Sequence, residues 1–272
     1  YLVVQVLAAG EPGGYAAYVY AFTFFMLPHG LFAVSVITAL LPGMSAHAVN
    51  DEWDSFRERL STGIRATVFL LLPAAVGYLV LGQPIVRLLL QHGNTTAQST
   101  DIVTGILRFF VLGLVPFALF QLFLRAFYAV QDTKTPFLIN CVAVAFNTGL
   151  NLILFPALGV KGLALGHASA YTLGAILQAR YLGRRIGGLD VRRLIANSMR
   201  ILLASIAMGL VVWGVYTAVR NVGGDIGLIG QIVELAIGVG TGAGAYLAFG
   251  VLLKVDEISL VRGMLGRRIG RT

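Results

Sequence analysis

Long apolar runs alternate with short polar connections along this chain, and the runs set the fold. They cover 15–48, 64–90, 102–130, 136–156, 161–182, 199–219 and 229–253. Each meets the roughly 20 residues a helix needs to cross about 30 Å of hydrocarbon. Lipid leaves backbone N–H and C=O groups no water to bond, so a spanning segment is a helix or part of a closed barrel. Barrel strands alternate in polarity, and these runs do not. The pattern predicts an all-α polytopic membrane helix bundle with seven complete crossings. The first run is long for one crossing and holds Pro28 and Pro42, which predicts a kink or a portion outside the bilayer. The opening "YLVVQVLAAG" lacks the basic flank of a signal peptide and reads as the tail of a further span, so the chain is expected to be a piece of a longer protein.

Three polar connections have a character of their own. In "NDEWDSFRERLSTG" (50–63), Asn50 and Asp51 suit helix capping, and Trp53, Phe56 and Leu60 fall on one face. That predicts an amphipathic helix lying in the membrane interface, with docking to a partner as the other use of such a face. "RYLGRRIGGLDVRRL" (180–194) reads as a basic, glycine-hinged linker. It divides the chain into a bundle over 1–183, a linker over 184–198, a final helix pair over 199–253 and a basic tail over 254–272. "FYAVQDTKTP" (127–136) is a compact polar turn between apolar runs; Asp132 suits capping, Lys134 anchoring, and Pro136 the restart of a helix.

Composition strengthens the membrane assignment: 57% of residues are hydrophobic and 12% charged, with mean hydropathy +0.83. The net charge of +8 is distributed by topology. If the C-terminal tail is cytoplasmic, 16 of the 20 basic residues lie on cytoplasmic connections and flanks, leaving Arg87, Arg108, Lys161 and Arg220 on the other side. The basic balance therefore needs no nucleic acid as partner, and 180–200 suits anionic lipid. Cys141 is the single cysteine, which excludes an intrachain disulfide and predicts an inert buried thiol. His29, His47, His92 and His167 lack metal-ligand spacing, and no catalytic triad, phosphate loop or carboxylate pair emerges. Nothing points to an enzyme, a metal or a cofactor.

Polar residues inside spans are costly and face protein or water. Gln121, Arg125, Tyr128 and Asp132 share one helix face; so do Asn140, Asn147 and Asn151 on the next span, and His167, Tyr171 and Gln178 on the one after, with Gly174 completing that stripe. Two readings stand: interhelical hydrogen bonds that hold the bundle, or a shared polar cavity. Arg125 suits either snorkelling to headgroups or bidentate binding of a phosphate. The overlapping pairs Gly238/Gly242 and Gly240/Gly244 predict close helix approach in the last span.

The chain resembles the bacterial lipid II flippases of the MurJ/MviN type, within the multidrug/oligosaccharidyl-lipid/polysaccharide exporter superfamily. The resemblance rests on "LPHGLFAVSVITALLPGMS" (27–45), the amphipathic segment after it, "LLLQHG" (88–93), "FYAVQDTKTP" and "FNTGLNLILFPALGVKGLALG" (146–166). It implies the second lobe of such a transporter, from the end of the seventh helix, plus two extra C-terminal helices. The first lobe, which supplies much of the family's cationic cavity, is the implied missing partner. The family often carries an arginine where Thr23 stands; Thr23 is thereby a cavity candidate with a weakened headgroup contact, which a neighbouring base could supply. Also implied are lipid II as substrate, a groove for its polyprenyl tail beside the last two helices, an inner-gate hinge at Asp132, Lys134 and Pro136 with Arg125 near it, and cell-wall synthesis proteins as neighbours. The alternatives are export of another polyprenyl-linked glycan, drug/cation antiport, against which the lack of a deep carboxylate speaks, and a membrane scaffold.

Overall fold

The computed structural model describes residues 2–90, 97–223 and 227–258. His92, the end of "LLLQHG", and Arg262, Arg267, Arg268 and Arg271 lie outside them. The described residues form α1 (Leu2–Ala9), α2 (Gly14–Pro28), a π-turn (His29–Ala33), α3 (Val34–Val49), α4 (Trp53–Leu90), α5 (Ala97–Val111), α6 (Leu114–Ala129), α7 (Lys134–Leu158), α8 (Val160–Arg185), α9 (Val191–Gly223) and α10 (Leu228–Leu252).

Among the described residues, five helical segments are long and apolar enough to cross a membrane: Gly14–Val49, Trp53–Leu90, Lys134–Leu158, Val191–Arg220 and Leu228–Leu252. The pair α5–α6 turns by 50° at its break and counts as a sixth if taken as a single span. The break falls at Gly113, where an added Cβ would come within 2.8 Å of Ala168 on α8. Pro116, in the first turn of α6, forfeits no hydrogen bond there. The run at 161–182 forms α8 yet falls short of the spanning criterion in hydropathy, because it is the bundle's inner helix. Gly162, Gly166, Gly174 and Gln178 are buried, so it presents little surface to lipid.

Three expectations are corrected. The segment 50–63 is not a separate interfacial helix: α4 runs unbroken from Trp53, and Phe56 and Leu60 are fully buried against the protein. Their stripe is covered by Met44, Leu122 and Phe127 rather than by lipid. Asn50 closes α3 instead of opening α4. Cys141 is exposed on α7, not buried.

The first crossing is one continuous helix that carries a π-turn where Pro28 stands; Val34 N–H reaches back to His29 O. Pro42 leaves α3 unbroken. The expected linker shortens to a tight turn over 186–190, with Gly187 and Gly188 at φ 83° and 104°, and α9 starts at Val191.

Packing divides into two main apolar clusters. One gathers Phe24, Phe25, Tyr78, Phe110, Leu114, Phe117 and Leu163. The other gathers Phe56, Leu60, Leu122, Phe127, Ile201, Met208 and Tyr246 and seats α9 and α10 against α4. At its arginine-rich end, Glu257 accepts from Asn197 Nδ2 at 2.9 and 3.1 Å and sits 3.6 Å from Arg65 Nε. That buried cluster fastens the segment after α10 to α4 and α9. The outer face of α7, with Leu138 and Ile153 both more than 60% exposed, is the surface lipid would cover.

Candidate functional site

The α7–α8 hairpin builds the site. The two helices are joined through Gly159 alone, whose φ of 57° favours glycine, and they pack closely along their length. An added Cβ on Gly162 would lie 2.7 Å from the Leu154 carbonyl, and one on Gly166 would collide with Asn151 Oδ1. Sequence reasoning passes over Gly162 and Gly166, although their four-residue spacing is the available signal.

This approach sets the α7 asparagines against α8. Asn151 is fully buried and donates from Nδ2 to Asn147 Oδ1 at 3.0 Å, while its own Oδ1 has no protein donor. Asn140, Asn147, Thr148 and Asn151 of α7, His167 and Tyr171 of α8, Tyr18 of α2 and Leu2, Val3 and Val4 of α1 line a cavity of about 390 Å³. His167 stands at its aromatic wall. Its ring centroid is 4.6 Å from Tyr171 and 5.3–6.0 Å from Phe22, Phe25, Phe110 and Phe117, and its Nε2 has no partner. Asn151 Oδ1 lies against Gly166, and unpartnered buried polar atoms in residues that line a cavity are where water or a polar guest finds partners. No arginine or lysine lines it.

The other sequence candidates lie elsewhere. Gln121 is half-buried, and Arg125 and Tyr128 are exposed on α6; none lines the cavity. Arg125 makes no ion pair among the described residues. Gln178 is fully buried on α8 with neither amide atom partnered, outside the cavity lining. Thr23 is exposed and donates its hydroxyl back to Val19 O at 2.9 Å within α2.

The turn at 130–133 brings Asp132, Lys134 and Pro136 to the start of α7. Asp132 accepts from Thr135 N at 3.0 Å, from the Thr135 hydroxyl at 2.8 Å and from Arg185 Nη1 at 2.9 Å. Burial pushes the Asp132 carboxyl up; the Thr135 bonds, the Arg185 guanidinium and the Lys134 N–H outweigh it and hold the group below its ordinary range. Asp132 thus caps α7 and ties it to the end of α8. Lys134 is exposed, and Pro136 is buried in the first turn.

A second feature is apolar. A groove of about 490 Å³ runs between α4, α9 and α10, with Phe69, Pro73, Tyr78, Met208, Gly238 and Gly242 among its walls, and Phe32 of the π-turn at its side. Gly238 and Gly242 pack toward Leu81 and Val212, while Gly240 and Gly244 face open space. Only the first of the two small-residue pairs therefore serves helix approach. No group of three or more His, Cys, Asp or Glu that could hold a metal occurs among the described residues.

Comparison with known proteins assigns the family. The profile described as "Lipid II flippase MurJ" matches residues 1–252. The chain is 37% identical over 192 residues to "Probable lipid II flippase MurJ" of Haemophilus influenzae, covering 68% of this chain and 38% of that protein. It is 31% identical over 276 residues to the protein of the same name from Rhizobium tropici, covering 98% of this chain and 50% of that one. A solved structure titled "Lipid II flippase MurJ, inward closed conformation" superposes with TM-score 0.75 at 27% identity, over 94% of this chain and 50% of its own. The chain thus spans half or less of the length of these relatives. With its apolar crossings and this kinship, the chain is a multi-pass bacterial inner-membrane protein belonging to the MurJ lipid II flippase family.

Proposed function

We propose that this chain forms the second lobe of a flippase that carries lipid II across the bacterial cytoplasmic membrane. The observation that carries the reading is the pairing of two unlike spaces on one bundle: a cavity edged with asparagine, histidine and tyrosine, and a groove walled by apolar side chains. A lipid-linked sugar-peptide is amphiphilic in the same way. Its polar head cannot enter hydrocarbon without losing hydration, so it needs a wet path, while its prenyl chain is stable in lipid or an apolar groove. The cavity receives uncharged polar groups of the head, and the groove takes the chain. Arg125, which has no ion-pair partner among the described residues, is the base offered to the diphosphate at the inner gate, with Lys134 beside the hinge. The missing first lobe closes the opposite wall, and rocking of the two lobes alternates access.

By the excess of basic residues, the ends of α3, α6 and α8 and the segment after α10 face the cytoplasm, where anionic lipid meets Arg180, Arg184 and Arg185. Cell-wall synthesis proteins are the natural neighbours on the far side. The test is depletion of the whole protein in cells while following the sidedness of lipid II. Accumulation on the inner leaflet, reversed by re-expression, supports the flippase. Normal sidedness with mislocalised cell-wall proteins rejects it in favour of a scaffold.

A further inference from the structure

The apolar groove and the π-turn in the first crossing both involve Tyr78. In α2, the carbonyl of Phe24 would accept from the amide four residues on, but that residue is Pro28, which has none. The hydroxyl of Tyr78, from α4, donates to this freed carbonyl at 3.0 Å in a buried setting. Tyr78 also lines the groove, together with Phe32, which belongs to the π-turn that follows Pro28. On the other side of the π-turn, the ring of His29 packs on Phe117 of α6 at 4.7 Å. Nearer its start, α2 supplies Tyr18 to the polar cavity.

A π-turn holds one residue too many for the α-helical ladder, so it can migrate or resolve when a contact on it changes. Here the contact is defined. If the Tyr78 ring moves, the Phe24 carbonyl is left unpaired in apolar surroundings, and the helix must find it another donor. We propose that Tyr78 is a positioning residue that links occupation of the groove to the π-turn between α2 and α3. An apolar chain in the groove bears on Tyr78 and Phe32 together, and the state of the Phe24 carbonyl passes this to the wall of the polar cavity. The link rests on the reading of the groove as a site for a prenyl chain.

The test uses the whole protein in nanodiscs on a cysteine-free background, with spin labels at Val19→Cys on α2 and Ser35→Cys on α3, both exposed positions flanking the π-turn. Undecaprenyl phosphate is the probe. The expected result is a shift in the interlabel distance on adding it to saturation, and loss of that shift in Tyr78→Phe at its own saturating concentration. Pro28→Ala restores an amide to the Phe24 carbonyl, so Tyr78→Phe is expected to change nothing further in that background. An equal shift in both proteins, or an undiminished effect of Tyr78→Phe beside Pro28→Ala, overturns the link. Binding that leaves the labels unmoved also overturns the link and spares the groove; absence of binding overturns the groove reading and the link with it.

Discussion

Tyr246 donates its hydroxyl to the backbone carbonyl of Phe69 at 2.8 Å, joining α10 to α4. That carbonyl is free because the residue four positions on is Pro73. The arrangement repeats the one between Tyr78 and Phe24, so two helix-breaking prolines are each repaired by a tyrosine from a neighbouring helix. In a membrane such repair is what makes an interior proline tolerable. Tyr246→Phe removes the donor and keeps the ring against Phe69, whose centroid lies 5.3 Å away. We expect a loss of about 1 kcal/mol in resistance to unfolding, within the range for interhelical hydrogen bonds. Unfolding in mixed detergent, with and without Pro73→Ala, measures it; the loss should vanish beside Pro73→Ala.

Gly166→Ala tests the seating of the asparagine pair. Alanine is the better helix former by about 1 kcal/mol. At this position its Cβ would collide with Asn151 Oδ1, whose side chain is fixed by its bond to Asn147. The expected net effect is destabilising, by about 1–3 kcal/mol as for other overpacked sites. Beside Asn151→Ala the same substitution should become neutral or favourable, as a thermal unfolding series would read.

Asp132 sets a pH dependence whose sign follows from its environment. Its carboxyl is held below the ordinary value in the folded chain, so folding favours the charged form. The stabilisation is complete above about pH 4, the usual range for a free aspartate, and is lost as pH falls through the lower folded value. Asp132→Asn should flatten the acid limb of a stability–pH curve and leave neutral pH the less stable for it. An unchanged acid limb would remove Asp132 from its place as the tie between the start of α7 and Arg185.

Arg125→Ala in the whole protein should impair rescue of flippase-depleted cells at normal expression, and Arg125→Lys should rescue in part, since lysine binds phosphate only as a point charge. Normal growth with Arg125→Ala would leave Arg125 as a residue that merely reaches for headgroups.

What the sequence disclosed follows from how each signal arises. The turn at Asp132 and Pro136 was readable because capping and proline rules are local. The long apolar runs gave the helices for the same reason. The stripe of Trp53, Phe56 and Leu60 was read as lipid-facing, because periodicity fixes which residues share a face and not what covers it. Asn140, Asn147 and Asn151 meet His167 and Tyr171 because Gly159 folds α7 directly back on α8. Gln121 and Arg125 carry an equally regular stripe, but α6 contributes no residue to the cavity lining. The two proline repairs were invisible, since each pairs residues far apart in the chain: 54 positions for Tyr78 and Phe24, 177 for Tyr246 and Phe69.

The most direct measurement is photo-crosslinking to lipid II from single positions on α7 in the whole protein. Asn140 and Thr148 line the cavity, whereas Ile153 is 71% exposed on the outer face. Crosslinks to the sugar-peptide head from Asn140 and Thr148, and none from Ile153, are predicted. Head crosslinks from Ile153 alone, or none from either cavity position, would contradict the account.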